Sequence, residues 1–203
     1  SQDEANLPPR DYRIALAEWY WKTVTPIDPY RSLMQVYARE IPLGDNWTRW
    51  CDILGYNVFP NAHADGSIYN EPGAGAAYYA SELRERCRQD NKVMWFAPFA
   101  NLIEPSRQQV GMSKAHILCQ AYGAIIYGAR MLLYFALPNV VGPDAWEGLR
   151  TISAQVKAMS PALLNGDIAQ NISYPGEEFL PRERKIPMVN AAVFRYPEGG
   201  YLL

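Results

Sequence analysis

Four short apolar, β-prone runs, set among stretches with helical spacing, limit the folds open to this chain more than any other feature. The runs are "SLMQVYA", "CDILGYNVF", "VMWFAPF" and "MLLYFAL", and they give strands over 33–38, 52–59, 93–99 and 131–137. Helical periodicity surrounds them: Ile14, Ala17, Tyr20/Trp21 and Val24, then Ala76, Tyr79/Ala80, Leu83 and Cys87. Behind Ser113 as a cap, Ile117, Ala121, Ile125 and the pair Ala124/Gly128 face inward on a third helix. On the last helix the inward face is Trp146, Leu149, Ile152/Ser153, Val156 and Met159, with Asp144 and Glu147 spaced as a capping box. Pro26 and Pro29 end the first helix, and Pro161 with Asn165-Gly166 ends the last. Strands that alternate with helices predict parallel βα units, because a parallel strand needs a long crossover connection. Half of an eightfold barrel and a small open doubly wound sheet both satisfy this order.

The stretches 61–75 and 100–111, rich in Gly, Pro and polar residues, read as loops. Beyond residue 166 the pattern changes to short alternating runs with Pro and Gly punctuation, and "PEGG" sits between "NAAVFRY" and "YLL". This predicts antiparallel β structure. No Gly-x-Gly-x-x-Gly or Walker-type loop follows any strand, so the nucleotide-binding folds lack their usual support.

The chain has 203 residues, 49% hydrophobic and 20% charged, enough for one sizeable core. A net charge of −2 offers no basic stripe for nucleic acid. The longest apolar run, "AYGAIIYGARMLLYFAL", is interrupted by Arg130 and falls short of the roughly 20 residues that span a bilayer. Three dispersed cysteines without Cys-x-x-Cys spacing, and only two histidines, speak against a disulfide framework and against a zinc site. No metal or organic cofactor is expected. The start of the sequence carries neither an initiator Met nor a signal-peptide pattern and leaves the compartment undecided, secreted and periplasmic included. The 6 Trp, 14 Tyr and 6 Phe suit a core, and they also suit a cleft that stacks on sugar rings.

Taken in order, the segments resemble the second half of (β/α)8-barrel glycoside hydrolases. "RIALAEWYWKTVTPIDPYRSLMQVYA" is similar to their helix four, turn and strand five, "RWCDILGYNVFPN" to strand six, and "NKVMWFAPFA" to strand seven. "SKAHILCQAYGAIIYGARMLLYFAL" resembles helix seven and strand eight, and "WEGLRTISAQVKAMSPALLNG" the closing helix. The resemblance implies a fold of parallel βα units forming half of a TIM-type barrel over 1–166, followed by the start of an appended β-rich domain over 167–203. On that reading strands one to four lie outside this sequence. A half barrel leaves strand edges open, so the expected partner is the N-terminal half of the same barrel or a second copy.

Hydrolysis of a glycosidic bond requires two carboxyl groups flanking it, and in barrels the reacting groups stand at the C-terminal ends of strands. "SQDEAN" matches the end of strand four, where the resemblance places the acid/base, and this assigns proton donation to Glu4 with Asp3 as an orienting or sugar-binding neighbour. The family's nucleophile ends strand seven, yet Ala97, Pro98 and Phe99 occupy that place here. Glu104, on the following loop, is the candidate second carboxylate. Asn70-Glu71-Pro72 copies the acid/base signature but follows strand six, so Glu71 is read as a loop residue facing the cleft. Asn57, His63, Trp95 and Tyr134 are the remaining candidates for contact with an oligo- or polysaccharide; barrel packing is the plain alternative for those within strands. Two functions stay open: a glycosidase, and a non-catalytic carbohydrate-binding or scaffold protein on a degenerate barrel.

Overall fold

The computed structural model describes residues 10–38, 46–57, 61–62, 68–69, 74–103, 109–134, 140, 142–165, 168–174, 189–195 and 201–202. Helix α1 (Arg10–Val24) leads into strand β1 (Met34–Ala38), a 3-10 turn (Asn46–Trp50) and strand β2 (Ile53–Asn57). Two short strands, β3 (Asn61–Ala62) and β4 (Ile68–Tyr69), precede α2 (Ala74–Gln89) and β5 (Val93–Ala97). After β6 (Asn101–Ile103) and β7 (Gln109–Gly111) come α3 (Lys114–Ile126), β8 (Met131–Leu132) and α4 (Pro143–Asn165). Strands β9 (Ile168–Tyr174), β10 (Val189–Arg195) and β11 (Tyr201–Leu202) close the series.

The chain is an α/β protein built on a four-stranded parallel sheet in the order β1-β2-β5-β8. Neighbours in space are therefore also neighbours in sequence, without reversal of direction. Side chains alternate between the two faces of a strand, and the two faces differ sharply. Tyr37, Leu54, Tyr56, Met94 and Phe96 form one cluster with Ala76, Tyr79, Ala80, Leu83 and Cys87 of α2, Ala124 of α3 and the flank of Ile14 on α1. Val36, Trp95 and Ala97, with Met34 and Ile53, form a separate cluster on the opposite face. Helices from three connections thus cover a single face, whereas a doubly wound sheet carries helices on both. The sheet is singly wound.

Several local readings need correction. Helix α4 starts at Pro143, so Asp144 lies inside its first turn and is not the cap. Glu147 meets Lys114 at 3.4 Å and Arg150 at 2.7 Å instead of reaching back to a free amide. Trp146 is 44% exposed, and the buried stripe is Ala145, Gly148, Leu149, Ile152 and Ala162. Small residues win there because α3 comes close: a Cβ on Gly148 would stand 3.0 Å from that of Ile117. Pro161 sits within α4 rather than ending it. Proline lacks the N–H that would bond Lys157 O, and the Ser160 hydroxyl donates to that carbonyl at 2.8 Å in its place. Gly128 takes φ +95° just after the cap of α3, so it terminates that helix rather than lining its inward face. The Ser113 cap is present, its Oγ accepting from the His116 amide at 3.2 Å.

Strands β9, β10 and β11 form an antiparallel sheet, order β11-β10-β9. Ala192 and Phe194 of β10 pack with Ile125 of α3 and Ala162 of α4.

A polar cluster lies at the N-terminal end of the parallel strands. Arg86 Nε meets Asp90 Oδ2 at 2.7 Å, and its NH2 donates to Thr48 Oγ1 at 3.0 Å, while the Thr48 hydroxyl donates to Asp90. Lys92 Nζ donates to Cys51 O at 2.6 Å, and Asp52 accepts from the Leu33 amide at 2.9 Å. Burial pushes the thiols of Cys51 and Cys87 up to about 12 and the Tyr37 hydroxyl well above its usual range. A raised thiol pKa keeps the folded state protonated while the unfolded chain ionises near 9.0. Stability is therefore held below about pH 9 and declines as pH rises towards 12. The urea midpoint should fall steadily across that window, and a flat profile would contradict the burial. At pH 8 iodoacetamide should label exposed Cys119 alone, with Cys51 and Cys87 joining only in denaturant.

Candidate functional site

In parallel α/β proteins the strands' C-terminal ends are where loops gather functional groups. Here those ends are Ala38, Asn57, Ala97 and the residues after Leu132, with Ala38, Asn57 and Ala97 in direct register. The chain leaving β2 and the chain leaving β5 each form a hairpin, β3–β4 and β6–β7. These join through a parallel bridge at Asn61 and Ile103 into a sheet of order β4-β3-β6-β7. Both segments read as plain loops from sequence. Strands of two or three residues are too short to show a period-2 pattern, and their pairing is non-local.

Gln120 of α3 fixes the exit of β5. Its carboxamide Nε2 donates to Phe99 O at 2.9 Å, and its Oε1 accepts from Phe99 N at 3.1 Å, a two-point clamp that imitates a strand partner. The Gln120 side chain is 1% exposed. Sequence reasoning passed over it, although a lone amide in the buried stripe Ile117, Ala121, Ala124 was the available signal. Met112 N donates to Ala100 O at 3.0 Å, which closes β7 against the same exit.

Among the sequence candidates, Asn57 ends β2 on the face away from the helices, 3% exposed, and no hydrogen-bond partner meets its Oδ1. Trp95 belongs to the same face one layer down. Its indole lies across Gly55, and Nε1 donates to Gln35 O on β1 at 3.2 Å. Tyr134 goes elsewhere: it packs with the cluster of Phe99, Met112, Ile117 and Leu149, and its hydroxyl donates to Ile117 O at 3.4 Å. Burial raises that phenol's pKa. Asp3, Glu4, His63, Glu71 and Glu104 lie outside the described residues. Ala97 and Phe99 at the end of β5 are each 3% exposed, and Pro98 is fully buried. Among the described residues, no group of three or more His, Cys, Asp or Glu could hold a metal ion, and no helix is long and apolar enough to cross a membrane.

The fold and these positions define an α/β protein with a singly wound parallel sheet whose C-terminal edge carries Asn57, the Gln120 clamp and two paired hairpins. No protein-family model matches the chain, and no curated protein matches it.

Proposed function

We propose that the chain is part of a glycoside hydrolase and that its parallel sheet is half of a (β/α)8 barrel. The supporting observation is the singly wound order β1-β2-β5-β8 with every helix contact on one face. Such a sheet curls towards closure, and its apolar second face, Val36, Trp95 and Ala97, becomes a barrel interior. Glu4 acts as proton donor and Glu104, which directly follows β6, as the second carboxylate. Asp3, Asn57, His63, Glu71 and Trp95 contact an oligo- or polysaccharide. The antiparallel strands begin an appended β-rich domain, and the N-terminal half of the barrel or a second copy pairs at the outer edges of β1 and β8.

A second reading has its own observation. Ala97, Pro98 and Phe99 fill the end of β5 with buried apolar groups where the resemblance expects a nucleophile, which favours a carbohydrate-binding or scaffold role.

Release of reducing ends from a glycan panel separates the two. Hydrolysis that disappears in both Glu4→Gln and Glu104→Gln, with unchanged thermal stability, supports the enzyme. Hydrolysis that survives Glu4→Gln removes the acid assignment, and binding without cleavage of any glycan selects the second reading.

A further inference from the structure

The geometry points to a subsite at the end of β2 for a neutral hydrogen-bond donor: a sugar hydroxyl, not a charged substituent. This rests on the carbohydrate reading above and narrows it to non-ionic sugars at that position. Asn57 is 3% exposed, and its Oδ1 is fully buried without a hydrogen-bond partner. A desolvated, unpaired acceptor is costly, and buried acceptors in native proteins nearly always meet a donor. A hydroxyl supplies that donor. A carboxylate, sulfate or phosphate offers only further acceptors.

The surroundings select in the same direction. Asn57 stands in register between Ala38 and Ala97, and the short side chain of Ala97, buried on the same face, leaves space beside the carboxamide. One layer below, the Trp95 indole lies across Gly55 and is tethered to Gln35 O, which makes a flat apolar floor. The cluster on this face consists of Val36, Trp95 and Ala97 with Met34 and Ile53, and it contains no Lys, Arg or His. An anionic group would lose its hydration there without gaining a counter-charge. A neutral ring carrying hydroxyls on its edge keeps one for Asn57 and lays apolar C–H groups towards the indole.

Isothermal titration of the chain with neutral methyl hexosides (gluco, galacto and manno) against the matching methyl hexuronides tests this. At least one hexoside should bind, its uronide about tenfold or more weaker. Asn57→Leu and Asn57→Ala should each lose about tenfold or more of the hexoside affinity. Because Asn57→Leu also removes the unpaired acceptor, its melting temperature should hold or rise by about 2–4 °C. Uronides that bind as tightly, hexoside affinity unchanged in the two variants, or no hexoside binding at all would overturn the subsite. So would a lower melting temperature in Asn57→Leu, since the carboxamide would then serve the fold. Asn57-dependent hexoside binding without cleavage of any glycan keeps the subsite and removes the hydrolase reading. Cleavage confined to uronide-bearing glycans does the reverse.

Discussion

Gly55→Ala is expected to destabilise the fold by about 2–4 kcal/mol, a large loss for one methyl group. The reason is local. A Cβ at position 55 would stand 1.9 Å from Trp95 Cε2 and 2.0 Å from Nε1. The indole cannot yield cheaply, because it is 5% exposed and its N–H is held by Gln35 O at 3.2 Å. Moving the ring breaks that bond and opens the cluster with Val36 and Ala97. Trp95→Ala alone should cost about 3–5 kcal/mol through the cavity it leaves. The two changes share one space, so their effects should not add: Gly55→Ala/Trp95→Ala should be close to Trp95→Ala alone, the new methyl group entering the vacated volume. Urea midpoints of the four proteins measure this coupling. Additive losses would mean that the indole does not occupy the space above Gly55.

The same pair shows what the sequence makes legible and what it hides. The run "CDILGYNVF" displays its strand through Ile53, Leu54 and Tyr56, and Trp95 stands visibly within "VMWFAPF". That the glycine of one exists to receive the indole of the other is a contact between strands about 40 residues apart, and no local pattern records it. The long helices and parallel strands were readable because each repeats a period over several turns or residues. The helix α4 boundary was misread because Asp144-x-x-Glu147 satisfies a local rule, while the competing ion pairs to Lys114 and Arg150 come from packing and from the next turn. Gln120 and the paired hairpins were invisible for the first reason: their meaning lies in a partner distant along the chain. Of the site, Asn57 was singled out from its place at a strand end, but its missing partner is a three-dimensional fact.

The two ends of the parallel sheet treat polar groups in opposite ways. At the N-terminal end, Thr48, Arg86, Asp90, Lys92 and Asp52 are joined by hydrogen bonds and ion pairs among themselves and to the backbone. At the C-terminal end, Asn57 carries an acceptor that the fold leaves unmet. Satisfied polar groups rigidify, and unsatisfied ones await a ligand or cost stability. This division follows the general separation in parallel α/β proteins between a stability face and a functional face. It argues for the C-terminal end as the working surface without reference to any carboxylate.

Asp90→Ala should be the most damaging change at the stability face, costing about 3–5 kcal/mol. The side chain of Arg86 is 7% exposed and that of Asp90 is 27% exposed, so the two partners do not have equal alternatives. Without Asp90 the guanidinium keeps its charge, since Arg does not deprotonate in proteins, and it is left buried with the Thr48 hydroxyl as its neutral neighbour. Without Arg86, Asp90 can turn to water, so Arg86→Met should cost less, about 1–3 kcal/mol, much of the side-chain volume being kept. Removing both charges in Arg86→Met/Asp90→Ala should restore part of what Asp90→Ala loses, because the stranded charge goes with its partner. Equilibrium unfolding at low and at high salt gives the ordering, and the penalty of Asp90→Ala should persist at high salt because a buried charge is poorly screened. A double variant less stable than Asp90→Ala, or an Arg86→Met penalty that exceeds it, would show that packing rather than charge pairing holds this end of the sheet.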